Sequence, residues 1–191
     1  MGEWPVEREG VVETVVTTRG PNDRWNVAAL GVEKLSGDGP ARARTWGRTR
    51  TWRNFRERGG GYIQFTRDPV DFVEAALTVR EDDAPVLDSA DAWVQVSVER
   101  QASGEDEGTQ WTDWALEAVE SSVERRVVPA TSRGHAAVVE ATVAASRLDV
   151  AAYDSEVLRD RLDYFERVIQ RAGGERERTA FERLASLTED W

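Results

Sequence analysis

Apolar and polar positions recur along this chain with two periods, near two residues in the first two thirds and near 3.6 in the last third. Val11–Thr18 (VVETVVTT) is short and β-branched, as strands are. The turn formers Gly20, Pro21, Asn22 and Asp23 follow, and WNVAALGVEKL returns from Trp25 as a second strand, so the pair reads as a hairpin with a longer loop. SGDGPAR is another turn. ARARTWG then sets Ala41, Ala43 and Thr45 on one side and Arg42, Arg44 and Trp46 on the other, which predicts a third strand. TWRNFRER carries Trp52, Phe55 and Arg56 at helical spacing, and Gly59, Gly60 and Gly61 stop the helix. YIQFT alternates as a strand. In DPVDFVEAALTV, Asp68 is an N-cap, Pro69 takes the first helical position, and Phe72, Val73, Ala76 and Leu77 form the apolar stripe. AWVQVSV is the cleanest alternating strand.

The stretch from Trp111 to Val127 fits both periods: Trp111, Trp114, Ala115 and Ala118 suit a helix, whereas Trp114, Leu116 and Ala118 suit a strand. GHAAVVEATVAASRL predicts a helix with Val138, Ala141, Ala145 and Leu148 on one face. Two more helices follow, the first starting near Ser155 and Glu156 and ended by Gly173 and Gly174, the second being ERTAFERLASL. The acidic stretches Arg80–Asp91 and SGEDEGTQ read as solvated loops. No internal repeat or low-complexity segment appears.

With 191 residues, 40% hydrophobic and 32% charged, the chain suits one domain, or one with an appendage, and can fill a real core. No apolar run reaches the length of a membrane span and the N-terminus lacks a signal pattern, so a cytoplasmic location is expected, with no membrane partner. With no cysteine, disulfides, thiolate metal sites and a cysteine nucleophile are excluded, and one histidine excludes a histidine-rich metal centre. A net charge of −11 argues against nucleic acid as a partner. Lys34 is the only lysine among 25 basic residues, against 36 acidic ones. That balance points to a salt-rich cytoplasm and a halophilic archaeon; an acidic protein of any GC-rich bacterium is the alternative.

No catalytic constellation stands out. His135 has neighbours Gly134, Ala136 and Ala137 that offer it no carboxylate, so a histidine at a helix start fits better than a general base. Glu140 lies in an otherwise apolar stretch and is expected to be buried in a structural ion pair with Arg133 or Arg147. Among the eight tryptophans, Trp46, Trp52, Trp93 and Trp114 could line a planar ligand, although core or interface packing is the default for each. Gly59–Gly61 lacks the lysine of a P-loop and the spacing of a dinucleotide fingerprint. The stretch RTRTWRN is more specific. Arg48, Thr49, Thr51 and Asn54 place a guanidinium, two hydroxyls and an amide where a helix begins, a setting that favours phosphate. The competing reading is that Thr49 or Thr51 caps the helix and the arginines solvate it.

These residues, in this order, resemble a known family. TVVTTRGPNDRWNVAALGV followed by RTRTWRNFRERGGGYIQFTRDPVDFVEAAL, and later SRGHAAVVEATVAASRL, is similar to the FMN-binding split-barrel flavoproteins, and within them to a mainly archaeal group called domain of unknown function 447. The resemblance spans nearly the whole chain. It implies an α+β fold: a mostly antiparallel, six-stranded split β-barrel with a C-terminal helical extension, in a homodimer with one FMN near each subunit contact. The flavin domain would be 1–130, and 131–191 the helical extension packed on it. By the resemblance Arg48, Thr49, Thr51 and Asn54 hold the FMN phosphate. Asn26, Val27 and Ala28 lie along the isoalloxazine, mainly through backbone groups, with Thr17 and Thr18 nearby. It also favours a strand for Trp111–Val127. Ala29 and Ser132 depart from the group's pattern, which tends to proline and asparagine at those places. The implied function is a flavin-dependent oxidoreductase of unread substrate. The alternatives are a non-catalytic flavin-binding or storage protein, and a split-barrel enzyme using a deazaflavin or a pterin.

Overall fold

The structure, a computed structural model, describes residues 2–33, 39–106 and 108–188. Lys34, the first half of the SGDGPAR turn and Glu107 lie outside the described residues. The chain forms two compact units, and neither is a single stretch of chain: 1–66 with 80–127, and 67–79 with 128–191. The expected division at 130 differs from this at 128–130 and in the segment 67–79, both of which group with the C-terminal helices.

The first unit contains β1 (Val11–Arg19), β2 (Trp25–Glu33), β3 (Ala41–Trp46), α1 (Arg50–Arg58), β4 (Gly60–Thr66), β5 (Arg80–Asp82), β6 (Ala90–Asp106) and β7 (Thr109–Val123). All pairings are antiparallel. They run β1–β4–β6–β7–β3–β2 and back to β1, closing a six-stranded barrel, while the three-residue β5 adds to β2. Closure gives each of the six strands a partner on both sides along part of its length. The register sends alternate residues inward, and Val16, Leu30, Val32, Ala41, Ala43, Ile63, Val94, Val96, Trp114 and Leu116 fill the interior together with Phe55 of α1. Each such side chain contributes roughly 1.5–3 kcal/mol by leaving water. In β3 the expected sidedness holds: Ala41, Ala43 and Thr45 are buried, Arg42, Arg44 and Trp46 exposed.

Trp111–Val127 forms a strand over Thr109–Val123, paired with β3 on one side and β6 on the other. Its alternation is blurred because Thr112, Trp114, Ala115 and Leu116 are all buried, so the strand is covered on both faces there. Two stretches read as loops are partly strand. Arg80–Asp82 is β5, and SGEDEGTQ supplies the exposed ends of β6 and β7, joined through Gly108 at φ 80°. Water on both faces of that hairpin removes any apolar period.

The second unit gathers α2 (Pro69–Leu77), α3 (Arg133–Ala145), α4 (Ser155–Ala172) and α5 (Glu175–Leu187) around Val73, Val138, Ala141, Leu158, Leu162, Ile169, Phe181 and Leu184. Asp68 caps α2 as expected, accepting from the amides of Val70 and Asp71, and the same carboxylate pairs with Arg176 of α5 at 2.7 Å. Gly134 and Gly173 meet so closely that a Cβ on Gly134 would lie 2.5 Å from the Gly173 Cα. Ser132, where the group tends to asparagine, caps α3 by accepting from the His135 amide at 3.1 Å. Glu140 is exposed, not buried as its apolar neighbours predict. It takes an outward position, as Arg133 and Ala136 do, on a helix so rich in alanine that its faces look alike. Among the described residues no helix is long and apolar enough to cross a membrane.

Candidate functional site

One edge of β2 is shared by two short partners. β3 pairs with it at Val32 and Glu33, and β5 pairs at Trp25, Asn26 and Val27. Between them, Ala28–Gly31 has no strand partner on that edge among the described residues, which leaves a split in the wall. Backbone N–H and C=O groups there are available to a ligand. The chain leaves β3 at Trp46, turns at Gly47 (φ 69°) and starts α1 beside the split. Glu81 of β5 ties this corner together: it accepts from Arg50 Nη1 at 2.7 Å and from Asn22 Nδ2 at 3.0 Å, while its carbonyl accepts from Arg24 Nη2 at 2.9 Å.

The nine residues expected at a cofactor fall into four places. Thr18, Asn26, Thr51 and Asn54 are buried at the barrel end beneath α1. There Asn54 Nδ2 donates to the Thr18 hydroxyl at 3.0 Å and Asn26 Nδ2 approaches the Thr51 hydroxyl at 3.4 Å. Asn54 is therefore a tie between helix and strand, with its donor already engaged inside the fold. Thr17 points the other way. It donates to the Pro85 carbonyl and accepts from Gln64 Nε2 at 3.2 Å, on the outer side of the wall. Gln64, fully buried, also accepts from the Leu87 amide at 2.7 Å, so it clasps the 85–87 segment to the barrel. Val27 is buried in the ladder to β5, and Ala28, half-buried, opens the split.

Arg48 and Thr49 stand exposed at the start of α1. Thr49 is the N-cap and accepts from the Trp52 amide at 3.2 Å, as the capping reading foresaw. Capping does not use up the hydroxyl. Thr49 and Thr51 both act as acceptors in these bonds, so each keeps a proton to donate. Arg48 donates only Nε, to Gln110 Oε1 at 3.2 Å. The first turn carries no acidic residue. Guanidinium, two hydroxyl protons and first-turn amides form a donor set that fits a phosphate dianion.

Three features escaped the sequence reading. Gln64 looked like one polar residue of an alternating strand, and only the fold brings Thr17, Pro85 and Leu87 to it. Trp52 is held by its indole N–H, which donates to the Thr112 hydroxyl at 3.1 Å, and Arg56 and Arg48 lie over its ring at 5.0 and 5.9 Å. Arg53 has a buried Nε with no hydrogen-bond partner. Of the other tryptophans weighed for a planar ligand, Trp114 is core, Trp46 is 48% exposed, and Trp93 donates to Glu124 at 2.9 Å. His135, half-buried in the helical unit, has its pKa lowered from its ordinary value, chiefly by burial. Arg67 adds to that shift, while Glu177 and Asp68 oppose it.

Residues 12–125 match the model of the N-terminal domain of the protein family of unknown function DUF447, and residues 132–186 match the model of the same family's second part. Among solved structures, an FMN-bound DUF447 protein from Methanosarcina mazei superposes with a TM-score of 0.79 at 22% identity, over 94% of this chain and 96% of that one. That likeness bears out the expected fold, an α+β split barrel with a helical extension. Flavoredoxin from Methanosarcina acetivorans is more distant, with a TM-score of 0.46 and 12% identity over 62% of this chain and 72% of its own. The styrene monooxygenase flavin reductase from Pseudomonas putida S12 gives 0.45 and 12% over 63% and 93%.

Proposed function

The chain belongs to the DUF447 family, and on that premise we propose that it binds FMN at the split edge of β2 and works as a flavin-dependent oxidoreductase. The observation that carries the reading is the unpartnered edge of β2 lying beside a donor set suited to phosphate. Arg48, Thr49, Thr51 and the first-turn amides of α1 hold the phosphate. Asn26, Val27 and Ala28 run beside the ring, with the free backbone groups starting at Ala28. Asn54 and Thr18 position α1 rather than touch the ligand, and Thr17 anchors the 85–87 segment. The FMN-bound state of the M. mazei relative supports the choice of FMN. A pterin without a phosphate leaves these donors without a purpose. FMN supplies the electron chemistry when bound, and the protein's part is to orient the ring and set its surroundings. The functional unit is a homodimer with one flavin near each subunit contact.

The double variant Arg48→Ala/Thr51→Ala tests the site. Loss of charge-assisted phosphate contacts costs roughly 1.5–3 kcal/mol, so FMN affinity falls about tenfold or more while the variant still melts cooperatively. Unchanged affinity in a folded variant refutes the phosphate assignment. Oxidation of a reduced nicotinamide by the loaded protein separates the oxidoreductase from the second reading, a flavin store. That second reading is favoured by the site's ionisable side chains, since Arg50 and Glu81 are committed to each other.

A further inference from the structure

Gln110 stands exposed near the start of β7, and both its main chain and its side chain reach the turn that leads into α1. The β3–β7 ladder ends with Trp46 opposite Trp111. One bond continues it, from the Gly47 amide to the Gln110 carbonyl at 2.6 Å, and fixes the turn. The Gln110 side chain then accepts from Arg48 Nε at 3.2 Å. An arginine offers only donors, so the amide must turn its oxygen toward it. Thr112, two residues on and therefore on the same face of β7, accepts from the indole N–H of Trp52, and Arg48 lies over that ring at 5.9 Å. One strand thus sets Arg48 from two sides.

The arginines on either side are held differently. Arg44 donates to Asp113, also of β7, through Nε at 2.6 Å and Nη2 at 2.9 Å. Arg50 donates to Glu81 through Nη1 at 2.7 Å. Each of these partners is a carboxylate, which neutralises the guanidinium and engages its outer nitrogens. Arg48 has instead a neutral partner, and gives it only Nε. Such a contact orients the guanidinium while its charge and the fork of its two Nη groups stay available to an anion. A carboxylate at position 110 would hold Arg48 more firmly and neutralise the charge that a phosphate needs.

We propose that Gln110 is a positioning residue for the flavin phosphate: it aims Arg48 at the ligand and, being neutral, leaves the arginine its charge. Gln110 thereby sets the preference for the phosphorylated flavin over the same ring system without phosphate. The inference rests on the flavin reading and adds to that site a residue of β7, an element the reading does not otherwise use.

The test is the affinity for FMN and for riboflavin, by fluorescence titration at one fixed salt concentration. The proteins compared are the wild type, Gln110→Ala, Gln110→Glu, Arg48→Ala and Arg48→Ala/Gln110→Ala, each first shown to melt cooperatively. FMN binding is expected to weaken about threefold in Gln110→Ala and about tenfold or more in Gln110→Glu, with riboflavin binding within about twofold of wild type in both. A purely structural tie to Arg48 would be strengthened by the added charge, and so predicts no loss of FMN in Gln110→Glu. Once Arg48 is alanine, removing Gln110 as well should cost nothing further. Unchanged FMN affinity in Gln110→Glu overturns the proposal. Equal losses for FMN and riboflavin do so too, as does an undiminished effect of Gln110→Ala in the absence of Arg48. If the wild type binds neither flavin, the flavin reading falls and this inference with it; if the wild type binds FMN and the Gln110 variants match it, only the inference falls.

Discussion

Asn54 is 1% exposed, and its side-chain amide donates to both the carbonyl and the hydroxyl of Thr18. Truncating it leaves two buried acceptors of β1 unmet, so Asn54→Ala should destabilise the barrel by about 1–3 kcal/mol. A denaturant melt of the flavin-free protein checks this; a loss of FMN affinity with unchanged stability would instead put Asn54 at the ligand. His135 carries a different consequence. Its pKa is lowered from 6.5, mainly by burial, so just below that value the folded protein binds fewer protons than the unfolded chain. Its stabilising contribution is therefore complete above about pH 6.5 and is lost as pH falls through the lowered value. Because it is the only histidine, melting temperatures between about pH 7 and 5.5 should fall in the wild type, and fall less in His135→Gln. At this scale the sequence named residues around α1 but could not give their directions. Thr17 and Thr18 are adjacent, and only the barrel's pleat shows that one faces out toward Gln64 and the other in toward Asn54.

At the scale of elements, the three glycines after α1 do separate jobs. Gly59 adopts φ 69° as the left-handed cap of the helix. Gly61 instead allows close approach, since a Cβ there would lie 2.6 Å from the Thr17 carbonyl oxygen. Gly61→Ala should push β4 away from β1 and cost roughly 1–3 kcal/mol, read as a lowered denaturation midpoint with no change in slope. An unaltered midpoint would mean the β1–β4 pairing is looser than the register indicates. The caps at Thr49 and Asp68, and most strands, were legible because each follows from local chemistry. β5 was not. Its three acidic and basic residues have no period, and only pairing with Trp25–Val27 makes them a strand. The split beside it was equally hidden, because an unpaired edge is a property of neighbours and not of the residues on it.

The whole molecule is two units whose chains interleave, with α2 leaving the barrel to join the C-terminal helices before β5 returns. Local signals cannot report such an exchange, since α2 reads as an amphipathic helix whichever unit receives it. What local signals did carry was the order of strands and helices, and in this family that order is specific enough to bring out the fold. The central claim is that the whole assembly holds FMN. The most direct measurement is an absorption spectrum of the protein purified in molar salt, with the released chromophore identified by mass. Flavin bands and the mass of FMN are the predicted result. A colourless protein that added FMN neither binds nor stabilises would contradict the account.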